Sequence, residues 1–400
     1  MEPEFRLDVD KPYVIYRHDT RGNTGFYSIV DYLKLFPGSP VRQDRDYGKA
    51  GFEGALAVPS SSDPEIVNFL TLDENVNRLM RTAKVKLISE RGNENEYERP
   101  GARFRRLNPG IEMAADRPQI YLVLDFNVLR DAHIGAIIRN IESGALHLKQ
   151  QIYLRPGVGR DDKFVEGPKG ERVMTIAPGV EGLGAEGYVT IATQNVDSYL
   201  AGKVPPRVLV WEPEIMGPGF ETKTRGVRSP MRNYKTAGNY DLPGTGKDDA
   251  SRENFHEILI TDNEGNVLEG GGENVFMVKN GVLYTPPLSM DILPGTKRKK
   301  VLEIADALGI PVKQEPFHLR ELFEGDAMAF SGTWMGFGPV EYLFQYTIGK
   351  TRQFPLDNEY IEGISNAYQD IINDRELSDP KLKDIQHRML TRIQVPKQKK

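Results

Sequence analysis

The sequence predicts an α+β protein with two domains, and three observations support this. The chain has 400 residues, which is enough for two hydrophobic cores, each able to offset the conformational entropy lost on folding. The first half mixes short apolar runs that are typical of strands with segments in which apolar residues recur at helical spacing. The second half alternates strand-like runs with turn residues, as antiparallel strands joined by tight turns do.

The segment NVDSYLAGKVPP, close to the middle of the chain, marks the expected boundary between the domains. It is polar and contains glycine and proline, which is typical of segments that join domains. We therefore expect a small N-terminal domain at 1–194, a linker at 195–204 and a large domain at 205–400.

The composition excludes several classes of function. Lys and Arg number 52 against 57 Asp and Glu, and both signs are mixed along the chain, so we expect no nucleic-acid or membrane partner. There is no cysteine, which excludes disulfides, thiolate metal sites and a cysteine nucleophile. The six histidines are scattered without an HExxH motif, so we expect no histidine-bound metal. The acidic N-terminus and the lack of a long apolar run predict a soluble, cytoplasmic protein.

The first half contains several recognisable elements. Its strand candidates are ALAV, IVNFLTL, QIYLRP and YVTIATQ, and its helix candidates are the segments 74–88 and 132–148. The region 157–187 is rich in glycine, proline and charge, which predicts a long loop or hairpin.

The second half is more regular. The runs HEILITD, VLEGGGENVFMVK and VLYTPP predict antiparallel strands, with a tight turn at Asn280-Gly281. Pro294-Gly295-Thr296 opens the helix KRKKVLEIADAL, and Gly309 follows its end as a cap. The residues expected on the apolar face of this helix are Val301, Ile304, Ala305 and Leu308.

Two side chains in the second half could take part in chemistry. Lys235 lies in YKTAGNY, and a lysine acts as a nucleophile only where its surroundings disfavour the ammonium form. Glu269 lies in LEGGGEN, where apolar residues precede it and three glycines follow. A half-buried carboxylate there needs a cationic or N–H partner. Taken singly, each motif is more typical of a surface lysine before a turn and of a solvent-facing carboxylate.

Two further segments could bind an anion. Leu293-Pro-Gly-Thr-Lys297 opens a helix, where unpaired backbone N–H groups and the helix dipole favour phosphate. Phe330-Ser-Gly-Thr333 ends an apolar segment with small residues that can present N–H groups to an anion. Every helix has such an N-terminus, and the second segment could be only a turn.

Taken together and in order, these motifs resemble the class IV aminotransferases, which are the fold-type IV pyridoxal-phosphate enzymes. The similarity is greatest to the branched-chain amino acid aminotransferases and covers about 46–367. The matching segments are DYGKAGFEG, ENVNRLMRTA, IYLRP, YKTAGNY, LEGGGENVF, ILPGTKR and SGT. The resemblance implies two domains, a smaller α/β domain and a larger one with a mostly antiparallel sheet or barrel and helices.

The resemblance also implies roles for individual residues. Lys235 would be the Schiff-base residue, Tyr240 the partner of the cofactor's phenolic oxygen, and Glu269 the partner of its pyridine nitrogen. The residues expected at the cofactor phosphate are Arg78, Leu293, Gly295, Thr296, Lys297, Gly332 and Thr333. The residues expected at the substrate are Tyr47, Phe52, Tyr153, Arg155, Thr333 and Trp334.

The activity that the resemblance implies is transamination dependent on pyridoxal 5'-phosphate. The amino group of an L-amino acid, branched-chain or a specialised relative, would pass to a 2-oxo acid by a ping-pong Schiff-base mechanism. The expected partners are therefore these two small molecules and, as in relatives of this fold, further copies of the chain in a homodimer or larger homo-oligomer.

The sequence departs from the family pattern in four places, and these keep alternatives open. Gly295-Thr296-Lys297-Arg298 stands where family members commonly have Gly-Ile-Thr-Arg, and the bulky Trp334, Met335 and Phe337 follow SGT. Insertions lie near 91–129 and 157–187. The alternatives are a lyase on the same fold similar to aminodeoxychorismate lyase, a D-amino acid aminotransferase, and a relative that has kept the fold without the chemistry.

Overall fold

The computed structural model of the protein describes most of the chain. The described ranges are 12–19, 22–35, 50–85, 100–110, 122–160, 164–166, 172–174, 187–196, 205–212, 233–290, 292–333 and 335–396. All structural statements below concern these residues.

The first sheet is antiparallel and is built mainly from the N-terminal half. Its strands are β1 Val14–Asp19, β2 Thr24–Ser28, β3 Gly51–Phe52, β4 Ala55–Pro59, β5 Ile66–Leu70, β6 Gln151–Arg160, β9 Gly187–Val196 and β20 Leu390–Gln394. They lie in the order β2-β1-β9-β6-β4-β5-β20, and β3 also pairs with β6. Between β6 and β9, strands β7 Phe164–Glu166 and β8 Arg172–Met174 form a separate hairpin.

Four helices accompany this sheet in the described part of the chain. They are α1 Ile29–Leu35, α2 Leu72–Val85, α3 Pro100–Leu107 and α4 Phe126–Glu142. Asp125 caps α4, since its carboxylate accepts a hydrogen bond from the Val128 N–H at 2.9 Å. Helices α2 and α4 bury Val76, Leu79 and Ile137 in one core with the sheet, which fixes α2 against the strands.

The second sheet is built from the C-terminal half. Its strands are β10 Arg207–Val210, β11 Glu257–Thr261, β12 Val267–Gly270, β13 Asn274–Lys279, β14 Val282–Thr285, β15 Val312–Gln314, β16 Ala327–Gly332, β17 Gly336–Pro339, β18 Tyr342–Gln345 and β19 Lys350–Gln353. The main order is β15-β14-β13-β12-β11-β10-β18-β19, with β16 paired to β13 and β17. The pairs from β11 to β14 are antiparallel, whereas β10 lies parallel to both of its neighbours.

The helices of the C-terminal half are α5 Asp241–Arg252, α6 Thr296–Ala307, α7 Leu319–Phe323, α8 Glu359–Ile372 and α9 Pro380–Met389. Two short 3₁₀ turns lie at Ala237–Tyr240 and Leu288–Met290. Asn358 and Asp379 cap α8 and α9 through their side-chain oxygens. None of the helices in the described ranges has both the length and the apolar character needed to cross a membrane.

The two sheets share buried contacts, which hold them against each other. One core joins Leu56, Leu70 and Tyr153 of the first sheet to Phe276 and Val301 of the second half. The C-terminal strand β20 pairs with β5 of the first sheet, so sheet membership does not follow chain order. The division at 195–204 stays a prediction.

Most of the elements predicted from the sequence are confirmed. The runs ALAV, IVNFLTL, HEILITD and VLYTPP all contain strands. At the turn between β13 and β14, Asn280 and Gly281 both have positive φ, 51° and 73°, as a tight hairpin requires. Gly309, with φ of 71°, follows α6 as predicted. The region 157–187 contains the β7–β8 hairpin, as predicted, and its first residues continue β6, which pairs with β9 as far as Arg160.

Three of the predicted details are wrong. Leu308 is 40% exposed because α6 ends at Ala307, which turns the next residue away from the buried face. The helix expected at 132–148 spans Phe126–Glu142, because Asp125 caps it earlier. The helix expected at 74–88 begins at Leu72, and 86–88 lies outside the described residues.

Candidate active site

Lys235 is held against the first sheet by backbone pairing. The Phe52 N–H donates to the Lys235 carbonyl at 3.0 Å, and the Ala237 N–H donates to the Ala50 carbonyl at 2.9 Å. These bonds lay residues 235–237 beside β3, which also pairs with β6. The short side chains after Lys235 allow this close approach, so its amine is positioned by strands that are distant in sequence.

The amine of Lys235 lies between two aromatic rings. Its Nζ donates a hydrogen bond to the Tyr240 hydroxyl at 2.9 Å and lies 5.2 Å from the centre of the Phe52 ring. Burial, followed by the positive charge of Arg78, lowers the pKa of Lys235 from 10.5 to about 8. Roughly one-tenth of the amine is therefore neutral at pH 7, against well under one-thousandth for a surface lysine. This is the state that a nucleophilic lysine needs.

Tyr240 keeps its proton in this setting. Burial, and next the Glu269 carboxylate, raise the pKa of the phenol well above its usual value of 10. The ring also contacts Phe52, with the two ring centres 4.9 Å apart. Tyr240 is therefore a fixed O–H group that lies beside Nζ and within the electrostatic reach of Glu269.

Glu269 lies at the end of β12 and faces the segment that precedes α6. Its Oε2 accepts a hydrogen bond from the Leu293 N–H at 3.0 Å. Asn274, its partner across the β12–β13 pair, donates from Nδ2 to the Leu293 carbonyl at 3.0 Å. The two side chains thus hold both backbone groups of Leu293, so the start of α6 is fixed relative to Glu269.

The start of α6 has the features of an anion site. Gly295 is its N-cap and provides no side-chain acceptor for the first N–H groups of the helix. A larger residue would not fit there, because a Cβ on Gly295 would collide with Asn274 Oδ1. The end of β16 pairs with the start of β13, and the Thr333 hydroxyl donates to the Gly54 carbonyl at 3.1 Å. Backbone from both α6 and β16 therefore lies close to Asn274.

Arg78 is fixed by a carboxylate to which sequence reasoning gave no role. Its Nε and Nη2 donate to the two oxygens of Glu53 at 2.7 and 2.6 Å, and its Nη1 donates to the Pro294 carbonyl at 3.2 Å. Glu53 is fully buried and Arg78 is 4% exposed. The guanidinium thus lies against the start of α6, already paired with a charge. The signal in the sequence was an acid between apolar residues in GFEGALAV, which requires a cation when it is buried.

A chain of hydrogen bonds extends from this pair to α6. Asn75 donates to Glu53 at 3.1 Å and accepts from the Thr71 hydroxyl at 2.9 Å. The Thr71 hydroxyl in turn accepts a hydrogen bond from Lys297 Nζ at 3.1 Å. Sequence reasoning missed Thr71 and Asn75, because their role depends on contacts between the two sheets.

Arg155, on β6, contacts the same aromatic ring as Lys235. Its guanidinium carbon is 4.0 Å from the Phe52 ring centre, and its Nη1 donates to the Tyr153 hydroxyl at 2.9 Å. The guanidinium is half-buried and keeps donors that could bind a carboxylate. Phe52, Tyr153 and Arg155 therefore form one wall close to the amine.

The structure brings most of the predicted site residues together. Backbone pairing, hydrogen bonds or ring contacts link those around Lys235, and Arg78, Leu293, Gly295 and Lys297 lie at the start of α6. Tyr47 and Trp334 lie outside the described residues. No group of three or more His, Cys, Asp or Glu able to hold a metal occurs within the described ranges.

The chain is similar in sequence to known aminotransferases. The family Amino-transferase class IV matches residues 209–343. A probable branched-chain-amino-acid aminotransferase of Synechocystis sp. is 26% identical over 306 residues, which cover 76% of this chain and 80% of that protein. The branched-chain-amino-acid aminotransferase of Escherichia coli K12 is 34% identical over 150 residues, or 34% of this chain and about half, 48%, of that enzyme.

A solved structure extends the similarity to the whole fold. The crystal structure of the branched-chain amino acid aminotransferase from Thermobaculum terrenum, in its PLP-bound holo-form, aligns with a TM-score of 0.67 at 14% identity. The alignment covers 96% of this chain and 99% of that one. The chain is similar in sequence to class IV aminotransferases. The protein is an enzyme that transfers amino groups, and its expected fold-type IV architecture is confirmed.

Proposed function

We propose that this protein is a class IV aminotransferase that moves the amino group of a branched-chain-like L-amino acid to a 2-oxo acid, with pyridoxal 5'-phosphate as its cofactor. The observation that carries the proposal is the position of the Lys235 amine, whose Nζ lies 2.9 Å from the Tyr240 hydroxyl. Burial and the positive charge of Arg78 lower the pKa of this amine to about 8. An amine that is partly neutral at pH 7 and is fixed between aromatic rings can form and release covalent bonds to a carbonyl carbon.

The residues present fit the cofactor. The N–H groups at the start of α6 have no side-chain cap, and Arg78 contacts the Pro294 carbonyl beside them, so this end of the site suits a phosphate. Leu293, Thr296, Lys297, Gly332 and Thr333 would complete that phosphate site. Glu269, within electrostatic reach of Tyr240, would hold a protonated ring nitrogen, and Tyr240 would donate to a phenolic oxygen.

When bound, the cofactor supplies an aldehyde that links to amines and an aromatic ring that accepts electrons from the substrate's Cα. The chain's own residues would then bind, orient and move protons. Lys235 Nζ would take the proton from Cα of the amino acid and hold it for return. Phe52 would form one face of the pocket, since its ring contacts both Arg155 and Tyr240. Tyr47 and Trp334 stay predictions from the resemblance.

A half-reaction tests the proposal. The purified holoenzyme is mixed with single L-amino acids, without an acceptor, and the cofactor spectrum and the 2-oxo acid are followed. We expect branched-chain-like L-amino acids to yield aminated cofactor and 2-oxo acid in equal amounts. A spectrum that does not change with any L-amino acid would contradict the proposal.

The same assay separates the alternatives. Pyruvate or ammonia released without aminated cofactor would indicate a lyase. A response to D-amino acids alone would indicate a D-amino acid aminotransferase. Purified protein that neither contains nor takes up the cofactor would indicate a non-catalytic relative.

Arg155 is expected to hold the carboxylate of the substrate. Replacing it by methionine should raise KM for the 2-oxo acid about 10- to 100-fold and change kcat little, since a hydrogen bond to a charged group contributes roughly 1.5–3 kcal/mol. Steady-state kinetics measure this. Arg155→Lys should retain part of the affinity, and Arg388→Met, at an exposed ion pair with Asp384, is the matched control. An unchanged KM in Arg155→Met would assign the guanidinium a structural role.

A further inference from the structure

Lys297 is a buried amine without an acidic partner. It is the second residue of α6 and is 3% exposed. Its Nζ donates to the Thr71 hydroxyl at 3.1 Å, and within the described ranges this is its one hydrogen bond, with no carboxylate at ion-pairing distance. Lysine is almost never fully buried unless it is paired, because taking its charge out of water is costly.

The other cations around it are already paired or directed elsewhere. Glu53 binds Arg78 through both carboxylate oxygens. Lys300 lies 3.1 Å from Glu74 and 3.4 Å from Glu303. The next residue along the helix, Arg298, donates instead to the Pro286 carbonyl and to Gln314. A dianion at the start of α6 would therefore meet cations that are either paired with carboxylates or directed to other acceptors.

The groups that face Lys297 come from three parts of the chain. Arg78 and Glu74 lie on α2, Lys300 on α6, and Glu53 between β3 and β4. Burial, followed by the positive charge of Arg78, lowers the pKa of the Lys297 amine from 10.5 to about 7. In the ligand-free protein the amine is therefore about half protonated at pH 7 and mostly neutral at pH 8.

We propose that Lys297 determines the preference of the site for a phosphorylated ligand by taking up a proton when a phosphate dianion binds at the start of α6. The inference rests on the proposed function, because it requires a phosphate-bearing cofactor in this site. The proton comes from the solvent and forms an N–H bond on Nζ. The resulting ammonium supplies the positive charge that the paired Arg78 does not, so phosphate binding and proton uptake are linked.

The experiment is titration calorimetry of the full chain, freed of cofactor, with pyridoxamine 5'-phosphate and with pyridoxamine. Both ligands lack the aldehyde, so neither links covalently to Lys235, and they differ only in the phosphate. Titrations at pH 8 in HEPES and in Tris, buffers with different ionisation enthalpies, give the number of protons taken up. With an amine pKa of about 7, we expect about 0.9 more protons for the phosphorylated ligand.

Variants test whether Lys297 is the group that takes up the proton. Lys297→Thr should abolish the extra uptake and weaken the phosphorylated ligand roughly 10- to 100-fold, while pyridoxamine binds as before. Lys297→Arg should keep the affinity without the uptake, because its charge is permanent. Lys299→Thr, on the same helix and 59% exposed at its side chain, is the control and should behave as the wild type.

The outcomes separate the two proposals. If the wild type does not bind pyridoxamine 5'-phosphate, the proposed function fails. If it binds this ligand without extra proton uptake, or if the uptake persists in Lys297→Thr, the inference about Lys297 is overturned while the proposed function stands. Unchanged pyridoxamine binding in Lys297→Thr shows that this variant is folded. If that binding is lost, the test passes to Lys297→Arg, and extra proton uptake in that variant overturns the inference.

Discussion

Replacing Lys235 by alanine is expected to lower the rate of amino-group transfer by about 10³- to 10⁴-fold or more. The loss combines two roles of one nitrogen, the covalent bond to a carbonyl carbon and the proton taken from Cα. The Lys235→Ala variant should still bind the cofactor, because the phosphate end of the site is built from other residues. Single-turnover kinetics, with the cofactor content read from the spectrum, measure both properties.

Two controls make this result specific. Lys313→Ala, at a lysine that is 53% exposed at its side chain, should keep wild-type turnover. Added methylamine should restore part of the activity of Lys235→Ala, because a small free amine can move the proton in place of Nζ. After borohydride reduction, the wild type should retain the cofactor covalently at Lys235. Turnover in Lys235→Ala above about one-tenth of the wild-type rate would exclude this role.

The sequence predicted those features that depend on local chemistry. Apolar spacing predicted α6 and the burial of Val301 and Ile304, and Asn280-Gly281 predicted a turn because few other residues adopt positive φ. The order of the motifs predicted the family, and Lys235 and Tyr240 meet because only five positions separate them. Features of this kind need no knowledge of which distant segments pack together.

Features that depend on distant contacts could not be predicted. Nothing local indicates that β20 returns to pair with β5, which lies in the first fifth of the chain. The strand β6 extends to Arg160, within a segment rich in glycine and charge, because β9 offers it a partner along that length. A segment with only a weak local preference for strand can form one where a neighbouring strand provides hydrogen-bond partners for its backbone N–H and C=O groups.

The pairing of charges in the candidate site could not be predicted from the sequence either. Sequence reasoning assigned Arg78 to a phosphate, yet two of its nitrogens are committed to Glu53, 25 positions away. The resemblance gives the identity of a residue at a motif position but not the balance of charge around it. That balance determines which cation can respond to a ligand, and it is why Lys297 and not Arg78 is the proposed site of proton uptake.

Replacing Glu53 by alanine is expected to lower the free energy of unfolding by about 3–5 kcal/mol, because it leaves the Arg78 charge buried without its partner. Glu53 is fully buried and Arg78 is 4% exposed, so water cannot readily replace the lost carboxylate. The measurement is the first unfolding transition of the cofactor-free protein in urea. The matched control is Asp73→Ala, at the start of α2, which removes an exposed ion pair with Arg130. It should change the free energy of unfolding by less than about 1 kcal/mol.

The double variant Glu53→Met/Arg78→Met separates the cost of the unpaired charge from the loss of packing. Two apolar side chains of similar length leave no buried charge, so this variant should be more stable than Glu53→Ala by roughly 1–4 kcal/mol. Its cofactor affinity should nevertheless fall, since the donor to the Pro294 carbonyl beside the phosphate site is gone. If Glu53→Ala alone costs less than about 1 kcal/mol, water reaches the pair, and the charge at the start of α6 is then not balanced by Glu53.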